Sequence, residues 1–138
     1  TFYTLNYGEK KMKVKCITIY NEFTKKYEKE SSWITIGKEY IVLGLTIRLN
    51  EITYLIATDQ DEMPASQNAI QFEIISGKIP SNWKIIPGEF AFLFILPSAW
   101  CEPGIMEAFY DQDPEALKIY KREAMIIYQE EGIGSFRG

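Results

Sequence analysis

Glu39-Tyr40-Ile41-Val42-Leu43-Gly44-Leu45-Thr46-Ile47-Arg48-Leu49-Asn50-Glu51-Ile52-Thr53-Tyr54-Leu55-Ile56-Ala57-Thr58 is the stretch that decides the fold. Glu39 to Ile47 reads as a long strand, Leu49-Asn50-Glu51 as a hairpin turn, and Ile52 to Thr58 as the returning strand. Upstream, Trp33 to Ile36 has strand character until Gly37-Lys38 breaks it. Lys13 to Tyr20 alternates and is rich in β-branched residues, so it too reads as a strand. Asn21 to Ser32 is polar and reads as a connecting loop or an exposed turn of helix. Downstream, Asp59 to Pro64 is a polar loop, Ile70, Phe72 and Ile74 alternate as a half-buried strand, and Gly77 to Asn82 is a turn. Phe90 to Leu96 is apolar on both faces, the pattern of a central or covered strand. Pro97 to Gly104 reads as a loop carrying Trp100 and Cys101.

The last element is of another kind. Asp113-Pro114 opens a helix, with the aspartate as N-cap and the proline at the first helical position. Leu117, Tyr120, Ala124 and Ile127 fall at helical spacing and are expected to face the core, and Gly132 is a natural stop. Short strands followed by one helix predict a mainly β, α+β domain: a small, strongly bent antiparallel sheet with a C-terminal helix packed on it. One domain is expected over residues 12–131. Residues 1–11 are expected to be leader or appended sequence, with Met12 as the start, and residues 132–138 a loose tail.

Composition narrows the function classes. Among 138 residues, 46% are hydrophobic, 14% aromatic and 25% charged, which fits a packed domain and not a disordered chain. The net charge of −4 speaks against a nucleic-acid binder, which needs a basic excess. No apolar run approaches a membrane span, and no signal-peptide core opens the chain. There is no histidine, so the commonest general base and zinc ligand are missing. Cys16 and Cys101 are too few for a zinc site and are read as two separate buried thiols. From Asp59 to Asp113 nine acids face two lysines, a local balance of −7. Such a stretch is either a solvated surface or a face that steers a basic partner.

The residues that invite chemistry mostly lack its spacing. Asp59, Asp61 and Glu62 are oxygen donors, but the loop has neither the spacing nor the glycine of a calcium loop. Glu102, Glu107, Asp111 and Asp113 supply carboxylates for an acid/base pair, as any acidic loop does. Gly37-Lys38 lacks the first glycine and the helix of a phosphate loop. Lys13 and Lys15 beside Tyr20 are better read as lysines protecting an edge strand than as a nucleic-acid contact. Neither metal nor cofactor is expected. Trp100, in the loop Pro97-Ser98-Ala99-Trp100 beside the acidic stretch, is either packing under the helix or an aromatic anchor for a basic partner.

Several local patterns carry a resemblance. They are Trp33-Ile34-Thr35-Ile36-Gly37-Lys38-Glu39-Tyr40-Ile41-Val42-Leu43, Ile70-Gln71-Phe72-Glu73-Ile74-Ile75, Ile79-Pro80-Ser81-Asn82-Trp83, and Phe109-Tyr110-Asp111-Gln112-Asp113-Pro114-Glu115-Ala116. Over Lys13 to Glu131 the chain resembles small immunity proteins of bacterial polymorphic-toxin and contact-dependent growth inhibition systems, some of which carry an SH3-like barrel. The resemblance implies a cytoplasmic protein, not an enzyme, that binds a cognate toxin domain and blocks it. A nuclease toxin would be basic and would suit an acidic inhibitor. The toxin-binding candidates are then Asp59, Asp61, Glu62, Trp100, Glu102, Glu107 and Asp111. Alternatives are an SH3-like adaptor that grips short peptides and a small carboxylate-dependent hydrolase.

Overall fold

The computed structural model describes residues 11–89 and 92–129. The strands are β1 (Met12–Cys16), β2 (Ile19–Asn21), β3 (Lys26–Glu28), β4 (Glu39–Arg48), β5 (Glu51–Ala57), β6 (Pro64–Asn68), β7 (Phe72–Gly77), β8 (Trp83–Pro87) and β9 (Leu93–Pro97). The helices are α1 (Ile105–Tyr110) and α2 (Pro114–Gln129), with 3₁₀ turns at Ala69–Gln71 and Ser98–Cys101. The protein is mainly β, an antiparallel sheet with a C-terminal helix, as the sequence predicts.

β4 organises the sheet. One edge pairs with β5, and the other pairs first with β1 over Glu39–Ile41 and then with β9 over Leu45–Ile47. The β4–β5 ladder shifts register between Val42 and Gly44, where the partner on the far edge changes. The bulge lets both Val42 and Leu43 be buried. Gly44 allows β9 to come close: a Cβ there would lie 2.8 Å from the Leu96 Cβ and 3.2 Å from the Ile95 carbonyl oxygen.

The path β6-β5-β4-β1-β7 ends on two strands that the Ala69–Gln71 turn joins directly. The sheet must therefore roll until its ends meet at that turn. Its interior holds Val14, Cys16, Tyr40, Val42, Tyr54, Ile56 and Phe72. Along β1, Met12, Val14 and Cys16 point inward while Lys13 and Lys15 alternate outward. β8 and β9 extend the sheet from the C-terminal half of β4. α2 packs beside the start of β4 and the end of β5, with Ala116, Ala124 and Ile127 buried and Leu117 and Tyr120 partly so. Asp113 caps it, its carboxylate accepting from the Ala116 amide at 3.0 Å.

Several expectations need correction. Trp33 to Ile36 is not a strand, because its backbone is held by irregular bonds. The Trp33 carbonyl accepts from the Asp59 amide, and the Thr35 amide donates to the Tyr40 hydroxyl. The polar stretch Asn21 to Ser32 holds half of the β2–β3 hairpin. β6 begins at Pro64, the last residue of the expected loop, and β8 fills a stretch with no predicted element just after the expected turn. Both are edge strands, where proline and polar residues are tolerated. Ile70 and Ile74 are exposed, because Ile70 sits in the 3₁₀ turn and the β1–β7 ladder shifts between Lys13 and Val14. Cys16 is buried, but Cys101 is exposed, and neither is in a disulfide. α1 fills a stretch with no predicted element. Gly132, the proposed leader and Phe90 lie outside the described residues, except for Lys11.

Candidate functional site

The sequence-predicted residues separate into distinct roles. Asp59 is a structural clamp. Its carboxylate accepts from the Lys38 ammonium at 2.6 Å, from Thr35 Oγ1 at 2.7 Å and from the Tyr40 hydroxyl at 3.1 Å. Burial alone would raise this carboxyl, but those bonds outweigh it and hold it below its usual range. A carboxylate so engaged ties the loop before β4 to the end of β5 and leaves little for a partner.

Trp100 belongs to the interior, so the packing alternative is the correct one. It is 2% exposed and stacks on Tyr120 with ring centroids 5.1 Å apart. Phe109 extends the stack, 4.6 Å from Tyr120. The helix that follows the Trp100 loop closes over it, which no local feature of the loop reveals. Asp61, Glu62, Glu102, Glu107 and Asp111 are all exposed. The Tyr110 hydroxyl donates to the Pro64 carbonyl at 2.7 Å, which brings Asp111 to the same end of the molecule as Asp61 and Glu62. Among the described residues, no group of three or more acids and cysteines is placed to hold a metal ion. No helix among them is long and apolar enough to cross a membrane.

A broad concave surface lies elsewhere. A trough of about 910 Å³ runs between the β2–β3 hairpin and the β4–β5 turn, with the Ala69–Gln71 turn beneath. Tyr20 and Tyr27 pair across the hairpin with centroids 5.1 Å apart and form one wall with Glu22. Leu49, Ile52 and Glu51 form the other. The hairpin is set by Asn21, whose side-chain oxygen accepts from the Phe23 and Thr24 amides. That turn thrusts out Phe23, 99% exposed, while Leu49 at the tip of the opposite turn is 81% exposed.

Charges line the same trough. Glu51 pairs with Arg48 at 3.3 Å, and Arg48 lies over the Phe92 ring. Burial and then the neighbouring Glu51 push the Glu22 carboxyl up, with Asn68 and Lys25 pulling the other way. Sequence reasoning passed over Phe23 and Leu49 because they lie in polar turns, and Tyr27 because its short strand β3 is set in a polar stretch of sequence. The signal was there: a large apolar residue in a short turn has nothing local to bury it.

The chain matches no family model, no curated protein and no solved structure.

Proposed function

We propose that this chain is a binding protein that acts by occupying another polypeptide, in the manner of the toxin-neutralising immunity proteins its sequence resembles. The carrying observation is the pair of loop tips presented almost wholly to solvent: Leu49 on the rim of the aromatic-walled trough, and Phe23 at the turn of the β2–β3 hairpin that walls it. Water opposes exposed apolar surface of that kind, and burying it against a partner recovers the cost. Aromatic anchors at the centre with a polar, charged rim are the usual composition of an interface. The toxin as partner rests on the sequence resemblance and on the acids that converge near β6, which suit a basic target in the cytoplasm.

The test is co-expression with the tagged product of the adjacent reading frame, followed by titration calorimetry. A one-to-one complex is expected. Phe23→Ser with Leu49→Ser should weaken it by at least about 2 kcal/mol, the loss typical of a hot spot. The same pair should leave thermal stability within about 0.5 kcal/mol, since neither side chain is buried. A complex indifferent to both changes, or no complex, would falsify the reading. The trough also favours a second reading, an adaptor for short linear segments. Proline-rich peptides binding with the same dependence on Phe23 and Leu49 would select it.

A further inference from the structure

At the opposite end of β5 from the trough, the β5–β6 turn makes an unusual choice. The Met63 amide donates to the Gln60 carbonyl at 2.9 Å, and φ is +51° at Asp61 and +60° at Glu62. Two successive left-handed residues closed by such a bond are the signature of a type I′ turn, for which Asn-Gly is the favoured pair. Glutamate has no local means of easing a left-handed backbone, so this turn is held at a cost in stability.

The turn overhangs a cleft of about 440 Å³ between itself and α2. Asp61 and Glu62 line one side, and Lys121 of α2 also lines it. The apolar lining includes Met63, Phe109, Tyr120 and Met125, with Met63 and Met125 exposed at 38% and 47%. Methionines in an open cleft adapt to varied side chains. The Tyr110–Pro64 hydrogen bond fixes α1, whose Phe109 lines the cleft, against the start of β6. Burial and then the Glu62 charge push the Tyr128 phenol up, in keeping with a carboxylate beside that ring.

We infer that this cleft is a second docking site, which takes a partner segment carrying a lysine or arginine beside apolar side chains. The paired carboxylates on the lip supply the charge complement, and the cleft lining takes the flanking apolar groups. The left-handed backbone at Asp61 and Glu62 is the cost of carrying acids where the turn alone would favour Asn-Gly. The site lies at the far end of the β5–β6 hairpin from Phe23 and Leu49, so it adds to the trough.

The full-length protein, ¹⁵N-labelled, is titrated with a synthetic amphipathic leucine–lysine peptide and with its leucine–glutamate counterpart. Amide shifts for the lysine peptide should centre on Met63, Tyr120 and Met125. Asp61→Asn with Glu62→Gln should weaken its binding about fivefold, the loss of two exposed ion pairs. Glu102→Gln with Glu107→Gln, equal in net charge, should change it less than about twofold. Asp61→Asn with Glu62→Gly should raise the melting temperature by about 3 °C while weakening the lysine peptide by about the same fivefold. Equal weakening by the two glutamine-bearing pairs, shifts centred elsewhere, or equal affinity for the glutamate peptide would overturn the inference. Phe23→Ser with Leu49→Ser should leave this titration unchanged, so the two sites fail independently.

Discussion

Asp59→Asn removes the charge from the clamp while keeping its shape. The Lys38 pair is half-exposed on the lysine side, so its loss costs about 0.5 kcal/mol or less. The Thr35 and Tyr40 bonds go to a charged acceptor that is 19% exposed, and weakening both costs about 1.5 kcal/mol together. The expected loss is about 2 kcal/mol at pH 7, or roughly 4–8 °C in melting temperature for a domain of this size. The assay is urea unfolding followed by tryptophan emission, since Trp83 and Trp100 are buried in the folded state. The folded carboxyl lies below its unfolded value. Its electrostatic contribution is therefore complete above about pH 4 and is lost as pH falls through the folded pKa. The asparagine variant has nothing of this kind to lose, so the two proteins should draw together in acid. A difference under about 0.5 kcal/mol at pH 7, or one that stays constant down to about pH 2, would refute the clamp.

Other outcomes follow from the packing. Gly44→Ala should cost about 1–3 kcal/mol by forcing β9 away from β4, readable as a lower urea midpoint with an unchanged slope. Trp100→Ala should cost about 3–5 kcal/mol, because it removes the centre of the stack with Tyr120; Trp100→Phe should cost clearly less in the same assay. Iodoacetamide under native conditions should label Cys101 and leave Cys16 until the protein unfolds, as mass spectrometry of the digested protein would show. Both thiols are pushed up, Cys16 by burial and Cys101 by burial and then the Glu102 charge, so exposure is what separates them.

The β4–β5 hairpin was legible because both arms are long, apolar and β-branched, and only a strand pair accommodates that pattern near a short turn. α2 was legible through Asp113 and Pro114, which carry the start signal in adjacent residues. Edge strands β6 and β8 were not, because an edge strand has less need of apolar residues and tolerates proline. Trp33 to Ile36 has strand-like residues but lies where Asp59 and Tyr40 take up its backbone groups. That competition depends on residues far along the chain. The acids of the candidate site could be named by type, but not sorted. Asp59 became a clamp through Thr35 and Lys38, and Trp100 became core through Tyr120, contacts that only the folded chain makes. The trough went unread because its walls join residues far apart in sequence, Tyr20 and Tyr27 of the β2–β3 hairpin and Ile47, Leu49 and Ile52 of the β4–β5 hairpin.

The roll of the sheet also sets an order of events during synthesis. β1 is among the first described segments to leave the ribosome, yet its neighbour β7 ends at Gly77, and β9 reaches β4 only with Leu93 to Ile95. Until those segments emerge, β1 and β4 have ladder edges with no partner, the condition under which nascent chains stick to one another. Slow folding governed by these distant pairings is the expected result, and a truncation ending before β7 should yield aggregate instead of a smaller domain.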